Sequence, residues 1–162
     1  MIVLFILVAL VLLCFCGVII FGAPYLPTLK PQIQTAFDLA QLKEGQTMLE
    51  LGCGDGRVIL AAARQGIKVI GYELNPILAL VAWLRTRRYR KNVTIVWGNF
   101  WNKTWPETDV IFVFLLGKYM DKLNKKCVQY PYKPLKLVSF AFKIKGKRQA
   151  AESKGVILYE YK

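Results

Sequence analysis

A glycine-rich turn with acidic neighbours is the part of this sequence best suited to chemistry. The turn spans residues 52–56 and reads GCGDG; it follows an apolar run that ends at Leu51 and precedes a helical pattern that begins at Arg57. Where a strand turns tightly into a helix, backbone N–H groups face the carboxyl edge of the sheet, which is where ligands bind in open α/β sheets. Glycine has no Cβ, so a ligand can lie against the backbone. Asp55 is the expected N-cap of the following helix.

The spacing of the glycines distinguishes two classes of cofactor. A dinucleotide-binding turn reads G-x-G-x-x-G, whereas this turn has Arg57 at the place of the third glycine. Glu50 precedes the turn, and a second predicted strand over residues 68–73 ends in Glu73. A carboxylate there can accept hydrogen bonds from both hydroxyls of a ribose. An adenosine without a pyrophosphate indicates S-adenosylmethionine, whose sulfonium and ammonium groups are cationic; the alternative is a tight turn without a ligand.

Charge and hydrophobicity are divided unevenly along the 162 residues. The first 22 residues carry no charge, so the formal net charge of +13 belongs to the rest of the chain. A helix of that length is about 33 Å long, and we expect residues 1–22 to form a transmembrane anchor. A cleaved signal peptide is the alternative, but the positive segment that opens such peptides is missing. Because all Lys and Arg follow the apolar run, the positive-inside rule predicts a single-pass membrane protein with its domain on the cytoplasmic side.

The basic domain predicts an anionic partner, which can be a membrane surface, a nucleic acid or an acidic protein. The second predicted helix of the domain covers residues 76–90, with Asn75 as its expected N-cap and Pro76 as its first residue. Five cations cluster at its end: Arg85, Arg87, Arg88, Arg90 and Lys91. Cations suit the negative end of a helix dipole, and beside a bilayer they can also contact anionic lipid headgroups. Both interpretations stay open.

The cysteines indicate neither a metal site nor a disulfide framework. Cys14, Cys16, Cys53 and Cys127 lack the spacing of metal ligands, and the chain has no histidine. We expect Cys53 to be a small structural residue of the turn rather than a nucleophile.

Predicted strands alternate with predicted helices through the rest of the chain. The strands are expected over residues 47–51, 68–73, 93–97, 109–115 and 135–142, with a basic loop over 143–154 and a last strand over 156–161. This alternation predicts an α/β fold with an open, mainly parallel sheet. The chain then divides into an anchor (1–22), a proline-rich linker with a lead-in helix (23–45) and the α/β domain (46–162).

Four stretches together resemble one family of enzymes. They read APYLPT at 23–28, LGCGDGR at 51–57, GYELNP at 71–76 and VSFAF at 138–142. They resemble the small membrane-anchored class I lysine methyltransferases, which use S-adenosylmethionine and are related to the mitochondrial enzymes that modify the ATP synthase c-subunit and the adenine nucleotide translocase. The resemblance covers residues 23–142 and implies a Rossmann-like class I methyltransferase domain. Because an Arg-rich transit peptide is missing, we expect a prokaryotic relative.

The resemblance also implies roles for single residues. The methionine end of the cofactor would lie against the turn and the residue before it: Glu50, Gly52, Cys53, Gly54 and Asp55. Glu73 would hold the ribose, and Tyr25 with Thr28 would close over the cofactor at the substrate entrance. Asn99 and Phe100, after the third strand, would hold the adenine, although a plain turn explains them as well. Asn99 stands where the family usually has Asp.

Methyl transfer from a sulfonium is an in-line displacement, in which the protein mainly orients the reactants and keeps the amine neutral. Phe114 and Leu115, at the end of the fourth strand, should border the transfer point, and no catalytic base is identified. Enzymes that methylate nucleobase amines carry Asn/Asp-Pro-Pro-Tyr/Phe there, whereas this chain has FLLG at 114–117, so we do not expect a nucleic-acid partner. We expect a protein-lysine methyltransferase acting on a membrane-associated protein. The alternatives are methylation of a lipid or small lipophilic amine, and a non-catalytic membrane-bound module that keeps the fold.

Overall fold

The structure is a computed structural model of the chain and describes residues 1, 2, 4, 5 and 25–162. The predicted anchor over residues 1–22 lies almost wholly outside the described residues. Among the helices that the structure does describe, none is long and apolar enough to cross a bilayer. The anchor therefore stays a prediction from the sequence.

Residues 25–162 contain seven strands and four α-helices. The strands are β1 (Thr47–Leu51), β2 (Lys68–Glu73), β3 (Val93–Trp97), β4 (Val110–Val113), β5 (Leu135–Phe140), β6 (Ala151–Ser153) and β7 (Val156–Tyr161). The helices are α1 (Lys30–Ala40), α2 (Arg57–Ala63), α3 (Pro76–Thr86) and α4 (Met120–Gln129). α3 begins as predicted: Oδ1 of Asn75 accepts hydrogen bonds from the amides of Ile77 and Leu78, and Pro76 is its first residue.

The strands form one sheet in the order β3-β2-β1-β4-β5-β7-β6. The five strands from β3 to β5 run parallel, and β7 lies antiparallel between β5 and β6. The predicted α/β fold with a mainly parallel open sheet is confirmed. The chain moves outward from β1 to β3 and then returns to the other side of β1 as β4. The crevice at such a switch point is the usual ligand site of open α/β sheets, and the glycine turn lies there.

Both faces of the sheet are covered, but unequally. On one face Met48 and Phe112 belong to a core that includes side chains of α1, α2 and α3. Their neighbours Leu49 and Ile111 point to the other face, where they share a core with α4 and with Trp105 from the β3–β4 connection. Three helices, α1, α2 and α3, thus cover one face of the sheet, and α4 with the β3–β4 connection covers the other.

Three features of the strands differ from the predicted ones. β4 spans Val110–Val113 rather than residues 109–115, so Phe114 and Leu115 follow the strand instead of ending it. β5 ends at Phe140 rather than residue 142, since Ala141 has a φ of +68°, which breaks the extended conformation. The predicted basic loop contains β6, a three-residue strand that pairs with β7. A strand this short has no apolar alternation by which the sequence could reveal it.

Candidate functional site

The glycine turn leaves β1 and is tied at once to the end of β2. The amides of Gly52 and Cys53 both donate to the carbonyl oxygen of Tyr72, each at 2.9 Å. Gly52 has a φ of +87°, and a Cβ built on it would meet no atom within 4 Å. The backbone at Gly52 is therefore open to a ligand, as the sequence predicts.

Gly56 brings the turn against α3 and sets where α2 begins. Its φ is +74°, and a Cβ there would lie 2.9 Å from both Cα and Cβ of Ala82. Gly56, not the predicted Asp55, is the N-cap residue of α2. Oδ1 of Asp55 accepts a hydrogen bond from the amide of Arg57, the first residue of α2, at 3.2 Å.

Glu73 lies buried beneath the turn, at the end of β2. Its Oε2 accepts a hydrogen bond from the amide of Gly54 at 2.7 Å, and its Oε1 accepts one from the amide of Asn75 at 2.8 Å. Burial raises the pKa of Glu73, and the backbone N–H donors oppose that rise. Each carboxylate oxygen keeps lone-pair capacity for one further donor, so the geometry is compatible with a ribose at this position.

Glu50 is the most unusual group of the site. The residue is 4% exposed, and its Oε2 has no hydrogen-bond partner among the described residues. Burial raises the pKa of Glu50 well above its ordinary value, and the negative charges of Glu73 and Asp55 raise it further. A backbone hydrogen bond from Ile59 opposes that rise of the pKa. A buried carboxyl group with one unpartnered oxygen, beside two other carboxylates, is an environment suited to a cationic ligand.

Asp55 is neutralised by two arginines from different elements. Its carboxylate forms an ion pair with Arg57, at 3.0 Å between Nη2 and Oδ2, and a second ion pair with Arg85 of α3. Burial acts to raise the pKa of Asp55, but hydrogen bonds from Arg57, Arg85 and Tyr25 prevail and lower it to about 2. The carboxylate is thus ionised and already occupied, and its predicted contact with the methionine end of the cofactor stays a prediction.

Cys53 contributes backbone rather than thiol chemistry. Burial, together with the charges of Glu50 and Glu73, raises the pKa of the Cys53 thiol well above its ordinary value, which opposes thiolate formation. A Cβ added to Gly71 of β2 would lie 3.0 Å from the Cys53 sulfur and 2.2 Å from Cδ1 of Ile59. The Cys53 side chain therefore shares with Ile59 the space that Gly71 leaves, in agreement with a structural side chain.

Asn99 and Phe100 follow β3 beside the end of β2, because the Gly98 amide donates to the Glu73 carbonyl at 2.8 Å. Oδ1 of Asn99 accepts a hydrogen bond from the Trp101 amide at 2.9 Å and caps a short 3-10 turn. The plain-turn interpretation thus has direct structural support. The predicted adenine contacts of Asn99 and Phe100 stay predictions, placed at the expected edge of the sheet.

Tyr25 lies over the glycine turn. Its ring would be 2.9 Å from a Cβ at Gly54, and its hydroxyl accepts a long hydrogen bond, 3.4 Å, from Nη2 of Arg57. Tyr25 is 38% exposed, whereas Thr28 is buried at 5%. The segment that precedes α1 therefore reaches the site through Tyr25, although its role in closing over a cofactor is untested.

Phe114 and Leu115 follow β4 but point in different directions. Leu115 is 5% exposed and belongs to the core beneath α4, so only its backbone can border a transfer point. The Phe114 ring is half-buried and packs at a tilt against Phe140, with ring centroids 4.6 Å apart and an interplanar angle of 58°. Its centroid lies 6.5 Å from that of Phe142. Three phenylalanines thus meet at the ends of β4 and β5.

Two parts of this arrangement go beyond what the sequence predicts. In the sequence Arg85 belongs to a basic helix end, yet in the structure it reaches Asp55, 30 residues earlier. Phe140 and Phe142 stand in the sequence only as part of a family stretch. Phe140 ends a parallel strand and Phe142 follows it, and this place is the available signal for a site role. No group of three or more His, Cys, Asp or Glu suited to a metal occurs within the described part of the chain.

Comparisons with known proteins find one matching family and several similar methyltransferases. Residues 50–151 match the family model described as the ANTKMT methyltransferase domain. The chain is 31% identical over 107 residues to the rat lysine N-methyltransferase of the ATP synthase C-subunit, covering 64% of this chain and 48% of the rat protein. It thus spans about half the length of that relative. It is 30% identical over 127 residues to a protein-lysine N-methyltransferase of Saccharolobus islandicus, covering 76% and 79% of the two chains.

A solved structure extends the similarity to three dimensions. The crystal structure of an RNA methyltransferase from Salinibacter ruber in complex with S-adenosyl-L-homocysteine matches with a TM-score of 0.75 and 25% sequence identity. The match covers 84% of this chain and 92% of that one. The fold is that of the class I methyltransferases, and the glycine turn with its acidic neighbours falls within the matched family region. The chain belongs to the ANTKMT methyltransferase domain family.

Proposed function

We propose that this protein is an S-adenosylmethionine-dependent methyltransferase whose acceptor is a lysine side chain. The proposal is supported most directly by Glu50. Its Oε2 is buried without a partner among the described residues, next to the carboxylate of Glu73. Such a group is costly to bury unless a donor or a cation reaches it. The ammonium group of a bound amino-acid moiety would supply both.

The residues of the turn fit this cofactor. Glu50 would receive the ammonium group, Glu73 would accept hydrogen bonds from the ribose hydroxyls, and the open backbone at Gly52 would lie against the ligand. The cofactor supplies an activated methyl group. The residues of the chain bind and orient the cofactor and the acceptor lysine. They must also exclude water and keep the acceptor amine neutral.

The phenylalanines after β4 and β5 suit that second task. Phe114, Phe140 and Phe142 give an apolar surface at the carboxyl edge of the sheet, on the β4 side of the glycine turn. Removal of water disfavours a charged ammonium and so lowers the pKa of a lysine that enters. We assign the acceptor approach to this side of the turn.

Lysine is favoured as acceptor by the family and by the lysine N-methyltransferase activity for which the rat and Saccharolobus relatives are named. A membrane-associated protein is the proposed substrate class, because the rat relative is named for the C-subunit of ATP synthase. We further propose that residues 1–22 anchor the chain in a membrane with the domain on the cytoplasmic side, in a prokaryotic cell. Protease treatment of intact and opened spheroplasts tests this: cleavage of the domain in intact spheroplasts would contradict it.

Transfer of a labelled methyl group tests the proposed activity. Full-length protein is incubated with methyl-labelled S-adenosylmethionine and membrane extract, and the products are divided into protein, lipid and RNA fractions. Protease-sensitive label recovered as methyl-lysine after hydrolysis is the expected result, with the Glu73→Ala variant as the inactive control. Label in lipid would favour the lipid alternative. A folded protein that binds the cofactor but labels nothing would favour the non-catalytic module.

A further inference from the structure

Helix α3 presents apolar side chains to solvent as well as to the core. Its inner face includes Ala82, which is fully buried, whereas Leu80 and Trp83 are each 56% exposed and Leu84 is 46% exposed. These three lie on one side of the helix, and the next position on that side is Arg87. A helix that is apolar all round is normally covered, and a contiguous exposed apolar patch marks an interaction site.

Trp97 extends the apolar region onto the edge of the sheet. It ends β3 and is 66% exposed. Val93 and Ile95 of the same strand pack into the core that contains α3, so the alternation of a strand places Trp97 on that face as well. Its indole Nε1 donates to the carbonyl of Leu74, in the loop before α3, at 3.1 Å.

Cations continue directly from the apolar stripe. Arg87, Arg88, Arg90 and Lys91 are exposed, and the described residues include no ion pair that involves them. Between Glu73 and Glu107 the sequence has six Lys or Arg and no acidic residue. The positive charge here is not balanced by neighbouring residues of the sequence.

We propose that this region docks onto a membrane surface that contains anionic lipids. We name it the α3 surface and define it by Leu80, Trp83, Leu84, Arg87, Arg88 and Arg90, together with the adjoining Trp97 of β3. An apolar face with Trp beside a cluster of Arg is the arrangement of helices that lie in the headgroup region, where Trp is also enriched and each cation is attracted to the anionic leaflet.

A second copy of the chain is a poorer occupant of the α3 surface. A two-fold dimer through this face would enclose the arginine clusters of both copies in one interface, and no acidic residue lies between Glu73 and Glu107 in the sequence to offset their mutual repulsion. An anionic bilayer has no such repulsion. The proposal is independent of the methyl-transfer chemistry, since it concerns how the domain lies on the membrane. Through the Arg85–Asp55 ion pair, docking would hold the glycine turn close to the bilayer.

Hydroxyl-radical footprinting of the full chain tests the α3 surface residue by residue. The protein is reconstituted in nanodiscs of phosphatidylcholine alone and of phosphatidylcholine with phosphatidylglycerol, and labelling is read by mass spectrometry at Trp83 and Trp97. Val128, which is 57% exposed on α4, is the internal reference. The expected result is labelling of both tryptophans lower by about threefold or more in anionic discs, as for rings that enter the headgroup region, with Val128 unchanged.

Matched charge variants test whether the arginines cause the protection of Trp83 in anionic discs. Replacing Arg87, Arg88 and Arg90 together by Gln should restore the labelling of Trp83 in anionic discs. A control that replaces Lys145, Arg148 and Lys162 by Gln removes three equally exposed cations from near the other end of the sheet and should leave the protection intact. Equal labelling of Trp83 in both kinds of disc, or protection that survives in the arginine variant, would overturn the proposal. So would protection that appears without lipid and rises with protein concentration, which would indicate a dimer.

Discussion

The amide of Gly54 donates a 2.7 Å hydrogen bond to Oε2 of Glu73, and this bond joins the turn after β1 to the end of β2. The other oxygen of Glu73 receives the amide of Asn75, the residue that caps α3. One buried carboxylate therefore organises both the glycine turn and the start of the next helix. Ligand binding and local stability are coupled at Glu73, so the two must be measured separately in its variants.

Glu50→Gln is expected to stabilise the ligand-free protein at neutral pH. Burial and the charges of Glu73 and Asp55 raise the pKa of Glu50 well above the ordinary 4.5. A carboxyl group with a raised folded-state pKa reduces stability progressively as the pH rises from its unfolded value through its folded value. Glutamine does not ionise, so urea denaturation at pH 7 should give a free energy of unfolding higher by about 1–3 kcal/mol.

The pH dependence provides the control for Glu50→Gln. Below pH 4.5, where the ordinary carboxyl is protonated, the two proteins should approach equal stability. The same variant should bind S-adenosylmethionine more weakly, because the charge that faces the ammonium group is gone. A variant that is less stable than the wild type at pH 7 would contradict the description of Glu50 as an unsatisfied buried carboxylate.

Asp55→Asn is expected to destabilise the protein, whereas Glu50→Gln is expected to stabilise it. Burial acts to raise the pKa of Asp55, but hydrogen bonds from Arg57 and Arg85 hold it at about 2. The ionised carboxylate therefore stabilises the folded protein above pH 3.8, the ordinary pKa, and this stabilisation is lost as the pH falls through about 2. Loss of charge-assisted hydrogen bonds should cost about 1–3 kcal/mol at pH 7. Glu152→Gln, which breaks the exposed ion pair with Lys143, should cost less than about 1 kcal/mol. Equal effects of the two substitutions at pH 7 would contradict the account.

Gly56→Ala should destabilise the protein more than Gly146→Ala. The two glycines have φ values of +74° and +72°, so both substitutions carry the strain of the left-handed conformation, about 1–2 kcal/mol. Only Gly56 of this pair has a neighbour in the way: a Cβ there would lie 2.9 Å from Ala82, whereas Gly146 has open space. The difference between the two midpoints of thermal unfolding measures the close approach of the turn to α3. Equal midpoints would show that this approach is not tight.

The sequence predicts the parts of the site that depend on local patterns. The glycine turn, Glu73 at the end of β2 and the Asn75–Pro76 helix start are each encoded within a few residues, and the structure has all three where expected. The Asp55–Arg85 ion pair joins residues 30 positions apart, and nothing in the local pattern selects Arg85 from the neighbouring arginines. For the same reason, local sequence patterns do not predict long-range packing.

Gly71 and Leu115 illustrate this limit. Gly71 should weaken β2 when only the strand pattern is considered, yet Ile59 from α2 fills the space that it leaves. Leu115 follows β4 at the edge where a substrate is expected, but its side chain turns into the core beneath α4. Both outcomes depend on which helix covers which face of the sheet, and that is decided by the whole chain.

Calorimetric titration of the full-length protein with S-adenosylmethionine tests the central claim most directly. We predict saturable binding at one site, weakened about 10- to 100-fold in Glu73→Ala, as expected for the loss of one or two charged hydrogen bonds. Glu152→Gln, which removes an acidic residue from the exposed β6–β7 hairpin, should bind S-adenosylmethionine as the wild type does. Circular dichroism of each sample establishes that it is folded. Absence of binding by the folded wild type would contradict the cofactor assignment, and undiminished binding by folded Glu73→Ala would contradict the role of Glu73.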